Sequence, residues 1–165
     1  MEKSQLSIRK NEAGFTAKEV IVVIVILFLV AVVLELTSNW TVVGNFTNPP
    51  PSIVAGQQPG FYYQEMKTRT LGSSKPASGR PISFNVTQPA SAPADSIWIV
   101  AFNDKNGTTV LPTPVTTVAT ITDANGNVTV FVKADAIGSN FGLTATDTTP
   151  TCIKCTDTVK FNVTK

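Results

Sequence analysis

The chain has 165 residues, 13 of them basic and 11 acidic, for a net charge of +2, and it contains no histidine. That length suits one domain plus an anchor. The missing histidine removes the commonest general base and the commonest metal ligand, and the scattered basic residues leave no electrostatic footprint for nucleic acid.

In chain order, residues 1–14 carry Lys3, Arg9 and Lys10 and read as a charged leader. An ordinary secretory signal is cut after its apolar region. Here the apolar region follows the candidate cut and would survive it. From Val20 to Leu34 fifteen apolar residues run without a break. With Phe15 to Glu19 and Glu35-Leu36 added, a helix would reach about 33 Å at 1.5 Å per residue, enough for a hydrocarbon core of about 30 Å. The Val and Ile of this run favour strands in water. In lipid the helix wins, because every backbone polar group must be paired within the segment. The leader cations hold the N-terminus in the cytoplasm and place the chain beyond about residue 38 outside, by the positive-inside rule. Glu19 stands at the start of the span. An acid inside a span costs roughly 2.5 kcal/mol or more and marks a functional-site candidate; an interfacial collar of Lys18 and Glu19 is the alternative.

Gly14-Phe15-Thr16-Ala17-Lys18-Glu19 and the apolar run behind it resemble the processing site of type IV prepilins and pseudopilins. The resemblance implies that a prepilin peptidase cuts after Gly14 and methylates Phe15 as the new N-terminus. It implies that Glu19 then pairs with the N-terminus of a neighbouring subunit in a helical fibre. The sequence departs from the pattern at Lys18, where many members are apolar, and at Leu36, where many have a Pro. The resemblance covers residues 1 to about 37.

Residues 38–80 shift in composition. Pro49-Pro50-Pro51, Gln57-Gln58-Pro59-Gly60 and Gly72-Ser73-Ser74-Lys75-Pro76 punctuate against a long helix and predict an extended connector with turns. Phe61-Tyr62-Tyr63 within it reads as a short strand or an interfacial patch. Trp40 and Phe46 either form an aromatic belt at the headgroups or pack on the domain. The Asn39 to Pro51 composition predicts that the helix stops soon after the span.

From Pro81 the apolar period becomes two, with turn signals between. Candidate strands are Ile82–Thr87, Ser96–Asn103, Val115–Thr122, Asn127–Lys133, Asn140–Thr146 and Thr158–Thr164. Asn106-Gly107 and Asn125-Gly126 supply the positive φ that tight hairpin turns need. Short strands at this spacing predict a β-sandwich over residues 81–165. The stretches Asn103-Asp104-Lys105-Asn106-Gly107, Thr122 to Val130 and Gly142-Leu143-Thr144-Ala145-Thr146 resemble bacterial immunoglobulin-like domains of the invasin and intimin type. That resemblance, over about residues 78–165, implies a rigid spacer or adhesive unit on a cell surface.

Cys152-Ile153-Lys154-Cys155 is a C-x-x-C without the βαβ context of a redox motif. Zinc would need another pair of ligands. Outside the cytoplasm a Cys152–Cys155 disulfide is favoured over free thiols. Asp123-Ala124-Asn125-Gly126-Asn127 has its Gly in the wrong place for a calcium loop and fits turn chemistry better. Asn-x-Thr triplets at Asn39, Asn45, Asn85, Asn106, Asn127 and Asn162 read as strand and turn composition rather than glycan acceptors. No catalytic constellation emerges, so no enzyme, cofactor or metal is expected.

The fold class expected is α+β by parts: a leader (1–14), a transmembrane and assembly helix (15–37), a Pro/Gly-rich connector (38–80) and an all-β immunoglobulin-like sandwich (81–165). The function expected is a structural subunit of a type IV pilus or related surface fibre, displaying the sandwich for adhesion. The alternatives are a pseudopilin of a type II secretion system and a single-pass anchored binding module that never polymerises. Expected partners are the prepilin peptidase, other pilin subunits, the inner membrane and a surface ligand, with no nucleic acid.

Overall fold

A computed structural model of the chain describes residues 17–37, 39–69, 71–150, 152–154 and 156–165. Two compact units divide between Ser38 and Asn39. In the first, helix α1 (Ala17–Thr37) has 21 residues, and Lys18–Thr37 is long and apolar enough to cross a membrane. Its large apolar side chains are exposed all round. A helix apolar on every side suits lipid or a buried core rather than a water interface. The helix ends where the composition changes, as expected. Thr37 Oγ1 donates back to the Val33 carbonyl at 2.8 Å in the last turn.

The second unit is built from strands: β1 (Thr41–Phe46), β2 (Ser52–Val54), β3 (Gly60–Thr68), β4 (Ser74–Pro76), β5 (Pro81–Thr87), β6 (Ile97–Asp104), β7 (Gly107–Val115), β8 (Thr117–Ile121), β9 (Asn127–Ala134), β10 (Gly138–Asp147), β11 (Cys152–Lys154) and β12 (Thr156–Thr164). One sheet has the order β11-β1-β3-β9-β6-β7, with β4 also on β3, and the other has the order β2-β12-β10-β5-β8. Only β3 to β4 and β6 to β7 stay within a sheet; every other connection changes sheet. Two contacts are parallel, β1 with β11 and β2 with β12.

The core lies between the sheets. Phe61 and Tyr63 on β3 and Val128, Val130 and Val132 on β9 face Phe84 on β5, Phe141 and Leu143 on β10 and Phe161 on β12. Alternate strand residues share a face, which is why the period-two pattern located these elements. Rings meet edge to face across the gap, Tyr63 to Phe84 at 5.6 Å and 89°, and Phe61 lies 5.0 Å from Phe161.

The six strands expected from Pro81 onward appear as β5, β6, β8, β9, β10 and β12, within two residues at each end. The connector expected over 38–80 is corrected: that stretch carries β1 to β4 and belongs to the sandwich. Val42, Phe46, Phe61 and Tyr63 are buried core residues. Their period-two signal is broken by Gly44 in β1 and diluted by the prolines between the strands. Phe46 sits in the core, 5.4 Å from the Tyr63 ring, rather than in a headgroup belt. Trp40 packs on its own domain, with the Arg69 guanidinium 4.3 Å and the Lys75 ammonium 4.4 Å from its ring centroid. Strand β7 was not anticipated because Pro112 and Pro114 interrupt it, and it takes the sheet edge, where a missing N–H is tolerated.

The Asn-Gly pairs work through glycine alone. Gly107 and Gly126 have φ of 98° and 75°, whereas Asn106 and Asn125 are not in the positive-φ region. The first pair closes the β6–β7 hairpin. The second carries the chain from β8 in one sheet to β9 in the other, so it is not a hairpin turn.

Candidate functional site

Glu19 lies in the first turn of α1, where an acid is favoured by the helix dipole. Gly14 and Phe15, the residues on which the processing reading rests, lie outside the described residues.

The C-x-x-C segment straddles a change of sheet. Cys152 begins β11, which runs parallel to β1 with Cys152 opposite Val42. The single residue between β11 and β12 is Cys155, which lies outside the described residues. The half-buried Cys152 points its thiol at the Val42 carbonyl, 3.8 Å away. Lys154 Nζ donates to Asn45 Oδ1 at 2.9 Å, and Asp157 Oδ2 accepts from the Phe46 N–H at 2.8 Å. These bonds tie the end of the chain to the first strand.

Turn chemistry shapes the Asp123 loop: Asp123 Oδ1 accepts from the N–H groups of Asn125 and Asn127, each at 2.8 Å. Among the described residues no group of three or more Cys, Asp or Glu is placed to hold a metal.

One polar constellation escaped the sequence reading. Glu65 is fully buried because it continues the inward face of β3 after Phe61 and Tyr63. Its Oε1 accepts the Tyr63 hydroxyl at 3.1 Å, and its Oε2 lies 3.7 Å from Arg80 Nε. The same guanidinium donates to Asp147 Oδ2 through Nε at 3.1 Å and through Nη2. Asp147, at the end of β10, is buried too, and its Oδ1 accepts from the N–H and hydroxyl of Thr149. Arg80 is placed by its own N–H, which donates to Thr122 Oγ1 at 2.9 Å, while that hydroxyl donates to the Ala77 carbonyl. Two acids thus share one cation. Glu65 has the poorer share, and its carboxyl is pushed up to about 7, first by burial and then by the charge of Asp147; the Tyr63 hydrogen bond and Arg80 partly oppose this. The Tyr63 hydroxyl is raised as well, by burial and by Glu65. Extending the Phe61–Tyr63 alternation by one step would have found Glu65 in the sequence. Nothing local marks Arg80 and Asp147 as its companions.

No protein-family model and no curated protein matches the sequence. Among solved structures, a beta-glycosidase from Bacteroides vulgatus is similar at 16% identity and TM-score 0.48, over 74% of this chain and 14% of that one. AvmM, which catalyses macrocyclization in alchivemycin A biosynthesis, is similar at 10% identity and TM-score 0.38, over 77% and 90%. The N-terminal domain of PorA follows at 8% identity and TM-score 0.31, over 74% and 97%. The chain therefore spans about one seventh of the glycosidase it resembles.

Proposed function

We propose that this chain is a pilin-like structural subunit, with an immunoglobulin-like sandwich carried outside the membrane by an N-terminal helix that also drives assembly. The observation that carries the reading is Glu19 in the first turn of a helix that is apolar on all sides, directly after the Gly14-Phe15 motif. An acid there is costly in lipid, and pairing it with the N-terminus of a neighbour offsets that cost. The strand order supports the immunoglobulin-like part: β1-β3-β9-β6 follows the A-B-E-D order, and β12-β10-β5 follows G-F-C. Strands β7 and β8 are then an insertion between D and E. Neither β3 nor β10 carries a Cys for the inter-sheet disulfide of antibody domains, and aromatic contacts fill that region instead.

In this reading the mature protein begins at Phe15 after cleavage by a prepilin peptidase, and Cys152 and Cys155 are joined outside the cytoplasm. Intact mass without reductant, on protein from a host with an active prepilin peptidase, tests both. The expected mass starts at a methylated Phe15 and is two protons lighter than the dithiol. A chain retaining residues 1–14 overturns the processing reading.

A second reading is a single-pass anchored module that never polymerises. It is favoured by one observation: α1 ends at Thr37, leaving no helical extension beyond the apolar span. Shearing cells without detergent separates the two, since fibre subunits leave as filaments and an anchored module stays with the membrane.

A further inference from the structure

The outer face of the larger sheet is unlike its inner face. On β3 and β9 the outward residues stand opposite one another in two rows, Tyr62 beside Thr129 and Gln64 beside Asn127. Thr47 and Asn48, just past the end of β1, close one side, and the whole encloses an open groove of about 540 Å³. That size is within the usual range for small-molecule sites. Tyr62 is 63% exposed there, a large aromatic face left in water on a sheet whose other face buries its rings.

The polar groups of the groove are uncommitted. Among the described residues, the side chains of Asn48, Gln64, Asn127, Thr47 and Thr129 make no hydrogen bond to the protein, although the backbones of Thr47, Gln64, Asn127 and Thr129 are engaged. Asn48 has φ 48°, a left-handed conformation that asparagine adopts more readily than most residues. Among the described residues that line the groove, Asp123 is the charged one, and its Oδ1 is occupied by its own turn. No lysine or arginine lines the groove among the described residues. An anionic ligand would find no counter-charge there, and a cation would find a single carboxylate, one of whose oxygens already accepts two turn N–H groups.

An aromatic face beside three free amides and two free hydroxyls matches a neutral polyhydroxylated ring. Amides offer a donor and an acceptor together, which pairs with adjacent hydroxyls that each both give and accept. The apolar C–H face of such a ring lies on the tyrosine, whose rigid ring gives contact area at little entropic cost. We propose that this groove is a binding site for an uncharged saccharide, with Tyr62 as the stacking platform and Gln64, Asn127 and Asn48 as its hydrogen-bonding partners. The site belongs to the sandwich alone and does not rest on fibre assembly.

The test is ligand-observed saturation-transfer NMR on the full chain in lipid nanodiscs. The probes are cellobiose, maltose, lactose and chitobiose, with sialyllactose and a heparin tetrasaccharide as charged comparators. At least one neutral disaccharide is expected to bind, with affinity lost about tenfold or more in Tyr62→Ala and kept within about threefold in Tyr62→Phe. Gln64→Ala should weaken the same sugar. Tyr62 is on the surface, so an unchanged melting curve for Tyr62→Ala separates loss of the site from loss of the fold. Absence of binding by every neutral probe at about 10 mM overturns the proposal. So does binding confined to the charged sugars, or binding that survives Tyr62→Ala.

Discussion

Tyr63 and Glu65 stand two residues apart on β3, and the phenol hydroxyl donates to Glu65 Oε1 at 3.1 Å inside the sandwich. Both point inward because i and i+2 of a strand share a face. The phenol reaches the carboxyl through a gap on the neighbouring strand. Gly44 of β1 pairs with Glu65, and a Cβ on Gly44 would overlap the phenol oxygen.

Gly44→Ala is therefore expected to push the Tyr63 ring off Glu65. Overpacking of this kind costs about 1–3 kcal/mol, and a buried carboxyl deprived of its donor adds to the loss. Urea unfolding of the intact chain in detergent, followed by fluorescence, reads it as a lower midpoint. A midpoint unchanged from wild type would mean that Tyr63 relaxes without cost.

The pH dependence follows from Glu65, whose carboxyl is moved from an ordinary 4.5 to about 7. The folded protein keeps this proton where the unfolded chain has released it. Its contribution to stability is fully present below about pH 4.5 and is lost as pH rises through about 7, with a slope of up to about 1.4 kcal/mol per pH unit. Glu65→Gln should flatten that slope, since the amide cannot titrate. Melting curves between pH 4.5 and 8 on both proteins decide it, and an equal slope in the variant would assign the dependence elsewhere.

Two glycines that look alike in sequence should respond differently to alanine. At Gly107, φ is 98° and a Cβ meets nothing within 4 Å, so Gly107→Ala pays only for the backbone conformation, about 1–2 kcal/mol. At Gly126 a Cβ would overlap the Glu65 carbonyl and come within 3.0 Å of Ala77 N. Those are backbone atoms hydrogen-bonded to each other, and the Glu65 N–H donates to the Gly126 carbonyl, so none of them can move aside freely. Gly126→Ala should cost markedly more than Gly107→Ala. Comparing the two denaturation midpoints checks the order.

Glu19→Ala separates insertion from assembly. Removing the acid should leave membrane abundance at least equal to wild type, because an apolar residue enters lipid more readily. In the pilin-like reading Glu19 pairs with a neighbour's N-terminus, so fibre yield should fall steeply, since breaking a buried pair by deleting one partner costs about 3–5 kcal/mol. Lys18→Ala is the control, because neighbours one apart on a helix do not face each other. Normal sheared-fibre yield from Glu19→Ala would return Glu19 to an interfacial collar and favour the anchored module.

Where a single period ran undisturbed, the sequence was readable. Val20 to Leu34 was located by its unbroken apolar run, and six of the strands from Pro81 onward by their alternation of apolar and polar residues; β7 and β11 were not. Of β1 to β4 only a short strand at Phe61-Tyr62-Tyr63 was read, as one of two alternatives, because Gly44 stands where a large inward residue would have marked β1, and prolines flank the short segments. The C-x-x-C pair was legible as a pair, but its position at a crossover between sheets was not. The Tyr62 groove left no motif, since its residues come from three separate stretches and are individually ordinary strand and turn residues.

By itself the sequence determined the apolar helix, its acid, and half the strands of the sandwich, because each depends on residues near one another in the chain: hydropathy over one span, alternation over one strand, positive φ at one glycine. Only the tertiary structure decided that residues 39–80 complete the sandwich, that Glu65 shares Arg80 with Asp147, and that Tyr62 stands beside Thr129 in a polar groove. Those relations join strands far apart in sequence, with nearly every connection changing sheet. Pairing partners are then set by how two faces fill one core, and a local pattern carries no record of that choice.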